Sequence, residues 1–245
     1  KVASDLEYYS KELGIKHFSF LNSQINFSNE YVMELCKEIK KRRLDIMFSD
    51  SASFRKLNKD ICEQLREVGC VKLWFGLESP ITRILNLIKK DLTIDEAVAG
   101  LRMAHEAGFW IGLNIIVGFP HETDEEFKNL CRFVEEYKNI VNCWGFSSLE
   151  VHPKTPMFLH PEKFNIEIHH KYTRGEATFG YAFSEIGGLD WKSREKRATE
   201  RVDHLSDVIS PKFHRFFSND YLIHALYSKY HTKETVSTKL EKYFK

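Results

Sequence analysis

Short apolar runs and helical stripes alternate along the first 150 residues. Lys16–Leu21, Asp45–Phe48, Val71–Leu77, Trp110–Val117 and Cys143–Val151 are rich in aromatic and β-branched residues and read as buried strands. Between them apolar residues recur at helical spacing: over residues 4–13, at Val32, Leu35, Cys36 and Ile39, at Ile61, Leu65 and Val68, at Ile94, Ala97, Val98, Leu101 and Ala104, and at Phe127, Leu130, Val134 and Tyr137. Gly69 and Gly108 follow two of these stripes as helix C-caps. Thr93-Ile94-Asp95-Glu96 and Thr123-Asp124-Glu125-Glu126 read as capping boxes with acid in the first turn, and Ser4-Asp5-Leu6-Glu7 reads the same way. The five strands start one βα unit apart, about 30 residues each, the size of a parallel crossover. The pattern predicts an α/β parallel sheet with right-handed crossovers, wound as a partial barrel or laid out as a flat doubly wound sheet. Periodicity does not give the strand order that separates the two.

The rhythm breaks after residue 151. Pro153, Pro156 and Pro161 forbid a regular helix there, and residues 171–190 carry four glycines among aromatics, a loop with a small hairpin. Residues 191–245 read as helical. The chain therefore divides into a barrel-type unit, 1–151, and an extension, 152–245, that packs on or over the sheet as a lid or substrate-shaping element. The chain opens on Lys1 directly before a helix, which predicts a piece that begins inside a fold.

Composition narrows the function classes. The 245 residues are 42% hydrophobic and 29% charged, with a net charge of +1, so no strong field draws the chain to nucleic acid or anionic membrane. No apolar run reaches the ~20 residues of a membrane span. Five scattered cysteines, an odd number with no CxxC or CxxxC spacing, argue against a disulfide framework and for a reducing, cytoplasmic setting. The histidines form no HExxH-type pair, so no metal ligands are assigned within the chain; His169 and His170 are adjacent and point apart on any regular element. The basic run Lys192, Arg194, Lys196, Arg197 and Arg201 is interleaved with Glu195 and Glu200 and reads as a solvated helix face.

Candidate chemistry gathers at strand ends. Glu78 follows Gly76 at the end of one strand, where a carboxylate is held rigidly enough to accept bonds from ribose hydroxyls or an ammonium group; a solvated loop glutamate is the plainer reading. Ser79 precedes Pro80 and reads more simply as an N-cap with Pro80 at the first helical position. Asn114, read as buried mid-strand, must bond a ligand or a neighbouring side chain. Gly118-Phe119-Pro120 lets backbone approach a flat ring, or makes a plain βα turn. Asn22, Ser23 and Gln24, and Ser49, Asp50, Ser51 and Ser53 with Arg55, lie past two other strands and would share that sheet end. Their convergence suggests a pocket for a polar small molecule.

Gly76-Leu77-Glu78-Ser79, Lys89-Lys90-Asp91-Leu92-Thr93, Ala107-Gly108 and Ile116-Val117-Gly118-Phe119-Pro120-His121-Glu122-Thr123, taken in order, resemble radical S-adenosylmethionine (SAM) enzymes, in particular the subgroup fused to a cobalamin-binding domain. Pro153-Lys154-Thr155-Pro156 is similar to that subgroup's Pro-Gly-Thr-Pro turn, with Lys154 in place of glycine. The resemblance covers roughly residues 1–155. It implies a partial (β/α) TIM-like barrel that cleaves SAM reductively on a 4Fe–4S cluster and starts hydrogen abstraction or methyl transfer, the latter a transferase reaction, on a small-molecule substrate. An external electron donor, and cobalamin in the fused subgroup, are implied with it. By position, Glu78 and Ser79 would meet the ribose or methionine end of SAM, Asn114 and Gly118 the ribose and adenine, and Asn22 the methionine amino group. The family's CxxxCxxC segment is absent. Our reading places it before Lys1, with the first βα unit, so the chain alone should not assemble the cluster. Two other readings stay open: a non-catalytic α/β small-molecule binding module, and a cluster-free barrel enzyme using Glu78 as acid or base.

Overall fold

The computed structural model describes residues 1–174, 177–209 and 220–244. Five parallel strands, β1 (His17–Ser19), β2 (Met47–Ala52), β3 (Cys70–Glu78), β4 (Trp110–Val117) and β5 (Cys143–Ser148), lie side by side in chain order. Sequential order with a helix at each crossover curls the sheet into a half-barrel, which decides between the two architectures the periodicity allowed. Helix α1 (Val2–Lys11) leads into β1, and α2 (Asn29–Lys41), α3 (Lys59–Glu67), α4 (Thr82–Leu87), α5 (Ile94–Glu106) and α6 (Asp124–Tyr137) fill the connections. Leu73, Phe75, Ile111, Leu113 and Ile115 form the outer face of the sheet and pack against Leu35, Ile39, Leu65, Leu101, Leu130 and Val134 of the helices. The alternate positions, Trp74, Gly76, Gly112, Asn114 and Gly145, share the inner face by register.

Thr93 and Thr123 form complete capping boxes with Glu96 and Glu126. Ser4 does not: α1 starts at Val2, with Lys1 at the N-cap position and no side-chain cap, and the Lys1 carbonyl accepts from the Ser4 and Asp5 amides within the first turn. Strand β2 also runs past Phe48, so Ser49 and Asp50 are buried strand residues rather than loop polarity. The register to β3 shifts by one residue between Phe48 and Ser49.

The extension is built onto the half-barrel at three places. Pro156 opens a single helical turn, α7 (Pro156–Leu159), at the first position, where its missing N–H costs nothing. Strands β6 (Ile166–Arg174) and β7 (Ala177–Glu185) pair antiparallel, a longer ribbon than the small hairpin predicted. Ile166 and Phe183 of this ribbon pack with Ile84, Phe119, Val151 and Met157, over the C-terminal ends of β4 and β5. Helix α8 (Trp191–Val208) lies on the barrel with Ala198 and Leu205 in the main core.

At the opposite end, helices Asp220–Tyr230 and Lys233–Phe244 bring Ile223, Tyr227 and Val236 against Val71, Trp110 and Cys143, which stand at or near the starts of β3, β4 and β5. Lys233 is buried in this contact, with Nζ 3.1 Å from His105 Nδ1. Burial lowers its pKa from 10.5 to about 8 against the opposing pull of Glu234, with Arg66 adding to the depression. The unfolded chain then holds more protons than the folded one between pH 8 and 10.5, so stability rises with pH across that window. Because the buried thiols lose stability over the same range, the lysine is isolated by difference: the stability of the native chain minus that of Lys233→Met should grow by no more than about 3 kcal/mol between pH 7.5 and 10 in chemical denaturation.

Candidate functional site

Strand β3 ends in an uncommon backbone conformation. Glu78 has φ +68°, left-handed for a non-glycine residue, and the register to β4 slips between Gly76 and Glu78. Its carboxylate turns back over Gly76: a Cβ at residue 76 would meet Glu78 Oε1 at 2.4 Å and Lys90 Nζ at 3.3 Å. Lys90 donates to Glu78 Oε1 at 3.0 Å. Arg55, just past β2, pairs with Asp91 at 2.6 Å. These two ion pairs hold the loop between α4 and α5 across the ends of β2 and β3. Beneath it lies a cavity of about 360 Å³ lined by Ser23, Gln24, Ser53, Arg55, Gly76, Glu78, Lys90 and Asp91. It sits at the C-terminal ends of parallel strands, where open α/β sheets bind ligands. Two acids and two bases on one wall can receive a zwitterion by exchanging internal ion pairs for pairs with the ligand.

The sequence-derived candidates divide around this cavity. Glu78 lines it. Asn22 does not line it; it is exposed, next to Ser23 in the chain, and donates Nδ2 to Asp50 Oδ2 at 2.8 Å. Asp50 is buried, and desolvation raises its carboxyl pKa against the bonds from Asn22 and Ser51. Asn114 is in register with Gly76 but exposed, not buried as the strand pattern suggested, because the inner face of a half-barrel is open. Ser79 is buried and caps no helix: α4 starts at Thr82, and Ser79 Oγ accepts from the Ile81 amide at 3.3 Å.

Gly118 is taken up elsewhere. Its amide donates to Glu122 Oε2 at 2.8 Å, and its carbonyl accepts from Arg194 at 3.0 Å. Its φ of +78° lets the chain turn beneath Ala198 of α8. The backbone groups expected to be exposed at Gly118 are therefore already paired, and it does not line the cavity.

Arg194 and Arg201 are a second correction. Read as part of a solvated face, both are buried. Arg194 lies over the Phe183 ring, 3.6 Å from its centre, and donates to the carbonyls of Phe183, Gly118 and Leu149. Arg201 pairs with buried Glu122 at 2.5 Å. Together they fasten α8 and β7 to the turn after β4.

The sequence pattern of the radical SAM superfamily matches residues 2–134. The chain belongs to the radical SAM superfamily. It is 29% identical over 136 residues to an uncharacterized methyltransferase of Pyrococcus horikoshii, covering 56% of this chain and 30% of that protein. It is 24% identical over 162 residues to the anaerobic magnesium-protoporphyrin IX monomethyl ester cyclase of Cereibacter sphaeroides, covering 64% and 26%. The chain thus spans less than a third of these curated relatives. Its fold is similar to the radical SAM methyltransferase TsrM of Kitasatospora setae, whose structure holds cobalamin and a 4Fe–4S cluster (TM-score 0.59, 18% identity, 72% of this chain and 36% of that one). Coproporphyrinogen III oxidase of Escherichia coli shares the half-barrel as well (TM-score 0.56, 15% identity, 84% and 45%).

Membership of the radical SAM superfamily implies SAM and a 4Fe–4S cluster. The residues of this chain do not fit the cluster. Cys36, Cys62, Cys70 and Cys143 are buried and Cys131 half-buried. Burial pushes the Cys36 thiol up to about 11, Cys62 to about 12 and Cys70 further still, the opposite of what an iron ligand needs. Among the described residues no three of His, Cys, Asp and Glu are placed to hold a metal ion. Likewise no helix among them is long and apolar enough to cross a membrane.

Proposed function

We propose that this chain is the SAM-binding half-barrel of a radical SAM enzyme whose cluster thiolates lie outside it. The observation that carries the reading is the cavity at the ends of β1–β3, with Glu78 and Lys90 paired across Gly76. SAM carries an α-ammonium and an α-carboxylate. In this reading Glu78 accepts from the ammonium or the ribose, Lys90 and Arg55 face the carboxylate, and Asn22 and Asn114 reach the ligand from either side. Ser79 and Gly118 then act on the site as turn residues, holding the ends of β3 and β4. SAM bound with a cluster supplies radical chemistry; this chain supplies binding, orientation and exclusion of water.

The parent reaction is hydrogen abstraction or methyl transfer on a small-molecule substrate, with an external electron donor. Cobalamin is part of the proposal through the likeness to TsrM and the motifs similar to the cobalamin-associated subgroup. The lack of a fitting thiolate set favours one other reading, a small-molecule binding module that never carried a cluster.

Titration calorimetry of the 245-residue chain with SAM tests the reading. Glu78→Gln should weaken binding about tenfold or more, since it removes a charge-assisted bond. Binding of SAM that ignores Glu78→Gln, or no binding, overturns the assignment of this cavity. In the whole protein, release of 5′-deoxyadenosine under reducing, oxygen-free conditions tests the reaction; its absence from a cluster-loaded protein overturns the radical reaction, and a whole protein that takes up no cluster favours the binding module.

A further inference from the structure

We propose that the inner face of the half-barrel carries a stacking site for a planar nitrogen heterocycle of the substrate, with Trp74 as its floor and Asn114 at its edge. The inference rests on the reading above only in giving the ring to the substrate rather than to SAM.

Glycines open two successive layers of the inner face, Gly112 in the lower and Gly76 and Gly145 in the upper. In the lower one Trp74 of β3 is in register with Gly112 of β4. A Cβ at Gly112 would meet three indole carbons at 2.3, 2.3 and 2.7 Å, so the indole lies flat on the β4 backbone. Its far edge reaches to 3.7 Å from a Cβ position at Gly145 on β5. In the upper layer Gly76, Asn114 and Gly145 are in register. Asn114 lays its Oδ1 over Gly145, 2.3 Å from where a Cβ would stand. The glycines at 112 and 145 thus admit a flat ring and a carboxamide where ordinary residues would fill the lumen.

Trp74 also marks the upper limit of the packed interior. It belongs to the cluster of Val71, Trp110, Cys143, Ile223 and Tyr227 that closes the lower end of the barrel, yet it is only partly buried. The Lys72 ammonium, 4.8 Å from its ring centre, fixes the indole further. A rigid aromatic floor recognises a π-face with little regard to the rest of the molecule. A carboxamide beside it both donates and accepts, so Asn114 can meet SAM through one atom and the heteroatoms at the edge of a nitrogen heterocycle through the other. The charged cavity beside Gly76 suits the zwitterionic end of SAM, and Trp74 lies one layer deeper, toward β4 and β5.

Acridine is a suitable probe, a planar tricycle with one ring nitrogen, and fully saturated perhydroacridine is its non-planar counterpart. Titration calorimetry of the chain with acridine, a readout that does not depend on Trp74 emission, should show saturable binding. Trp74→Leu should weaken it about tenfold or more, whereas Trp74→Phe, which keeps a ring, should stay within about threefold. Perhydroacridine should bind at least about tenfold more weakly, for want of a π-face. Saturating SAM should leave acridine affinity within about twofold. Equal binding by Trp74→Leu with native circular dichroism, or by perhydroacridine, overturns the floor. Competition by SAM gives the ring to adenine and overturns the substrate assignment while leaving the family reading intact. If SAM does not bind at all, the substrate assignment falls with the reading it rests on, and the Trp74→Leu result still decides the floor.

Discussion

Arg201→Ala should destabilise the chain by about 3–5 kcal/mol near neutral pH, the cost of removing one partner from a buried ion pair. Both side chains are almost wholly enclosed, and Glu122 Oε1 already has no hydrogen-bond partner. Desolvation raises the Glu122 pKa above 4.5, against the bonds from Gly118 and Arg201 that favour the charge. The folded state therefore holds its proton to higher pH than the unfolded chain, and stability from this group falls as pH rises through the folded value. Without Arg201 the folded pKa moves higher still. The loss should accordingly be largest at pH 8 and shrink toward pH 5, where a neutral Glu122 no longer needs a cation. Urea unfolding at the two pH values measures this. A penalty that is small, or independent of pH, would show that the pair does not fasten α8 to the barrel. The paired variant Arg201→Met with Glu122→Gln should recover part of the loss, because no uncompensated charge is then buried.

That ion pair was not legible in the sequence, and the reason is physical. Arginines among glutamates on a helix ordinarily face water, so residue type pointed outward. Only the spacing of Arg194, Ala198, Arg201 and Leu205, a stripe at helical period, marked a buried face. The sheet was legible because each strand is a compact apolar run and each helix start carries its own cap. Glu78 stood out because it follows Gly76 at the end of a buried strand, and it lines the cavity, although a solvated loop glutamate was the plainer reading. Asn114 misled because alternating burial was read as burial on both faces, as in a closed parallel sheet; strand order, which periodicity does not encode, leaves its face open. Ser79 misled because Pro80 looked like the first residue of a helix. The cavity itself depends on Arg55 and Asp91, which come from different loops, so no local pattern joins them.

Gly69→Ala should be the most damaging single-methyl change in the sheet. Gly69 ends α3 with φ +93° and was expected from the sequence as a C-cap. A Cβ there would stand 1.9 Å from the Ile46 carbonyl oxygen and 3.0 Å from its carbon, both backbone atoms at the approach to β2. Those atoms have little room to yield: the Phe48 amide bonds the Gly69 carbonyl at 2.9 Å, which sets the first rung between β2 and β3. Strain at a left-handed position and overpacking against fixed backbone add, giving an expected loss of about 3 kcal/mol or more. Gly108 separates the two effects. It ends α5 with φ +79°, but its nearest neighbour to a Cβ is Arg66 Nε at 4.0 Å. Gly108→Ala should therefore cost only the conformational part, about 1 kcal/mol. Thermal unfolding of both variants measures the difference. Equal losses would mean that the approach of Gly69 to Ile46 is not what fixes the β2–β3 register, and hence not what brings Arg55 and Glu78 to the same cavity.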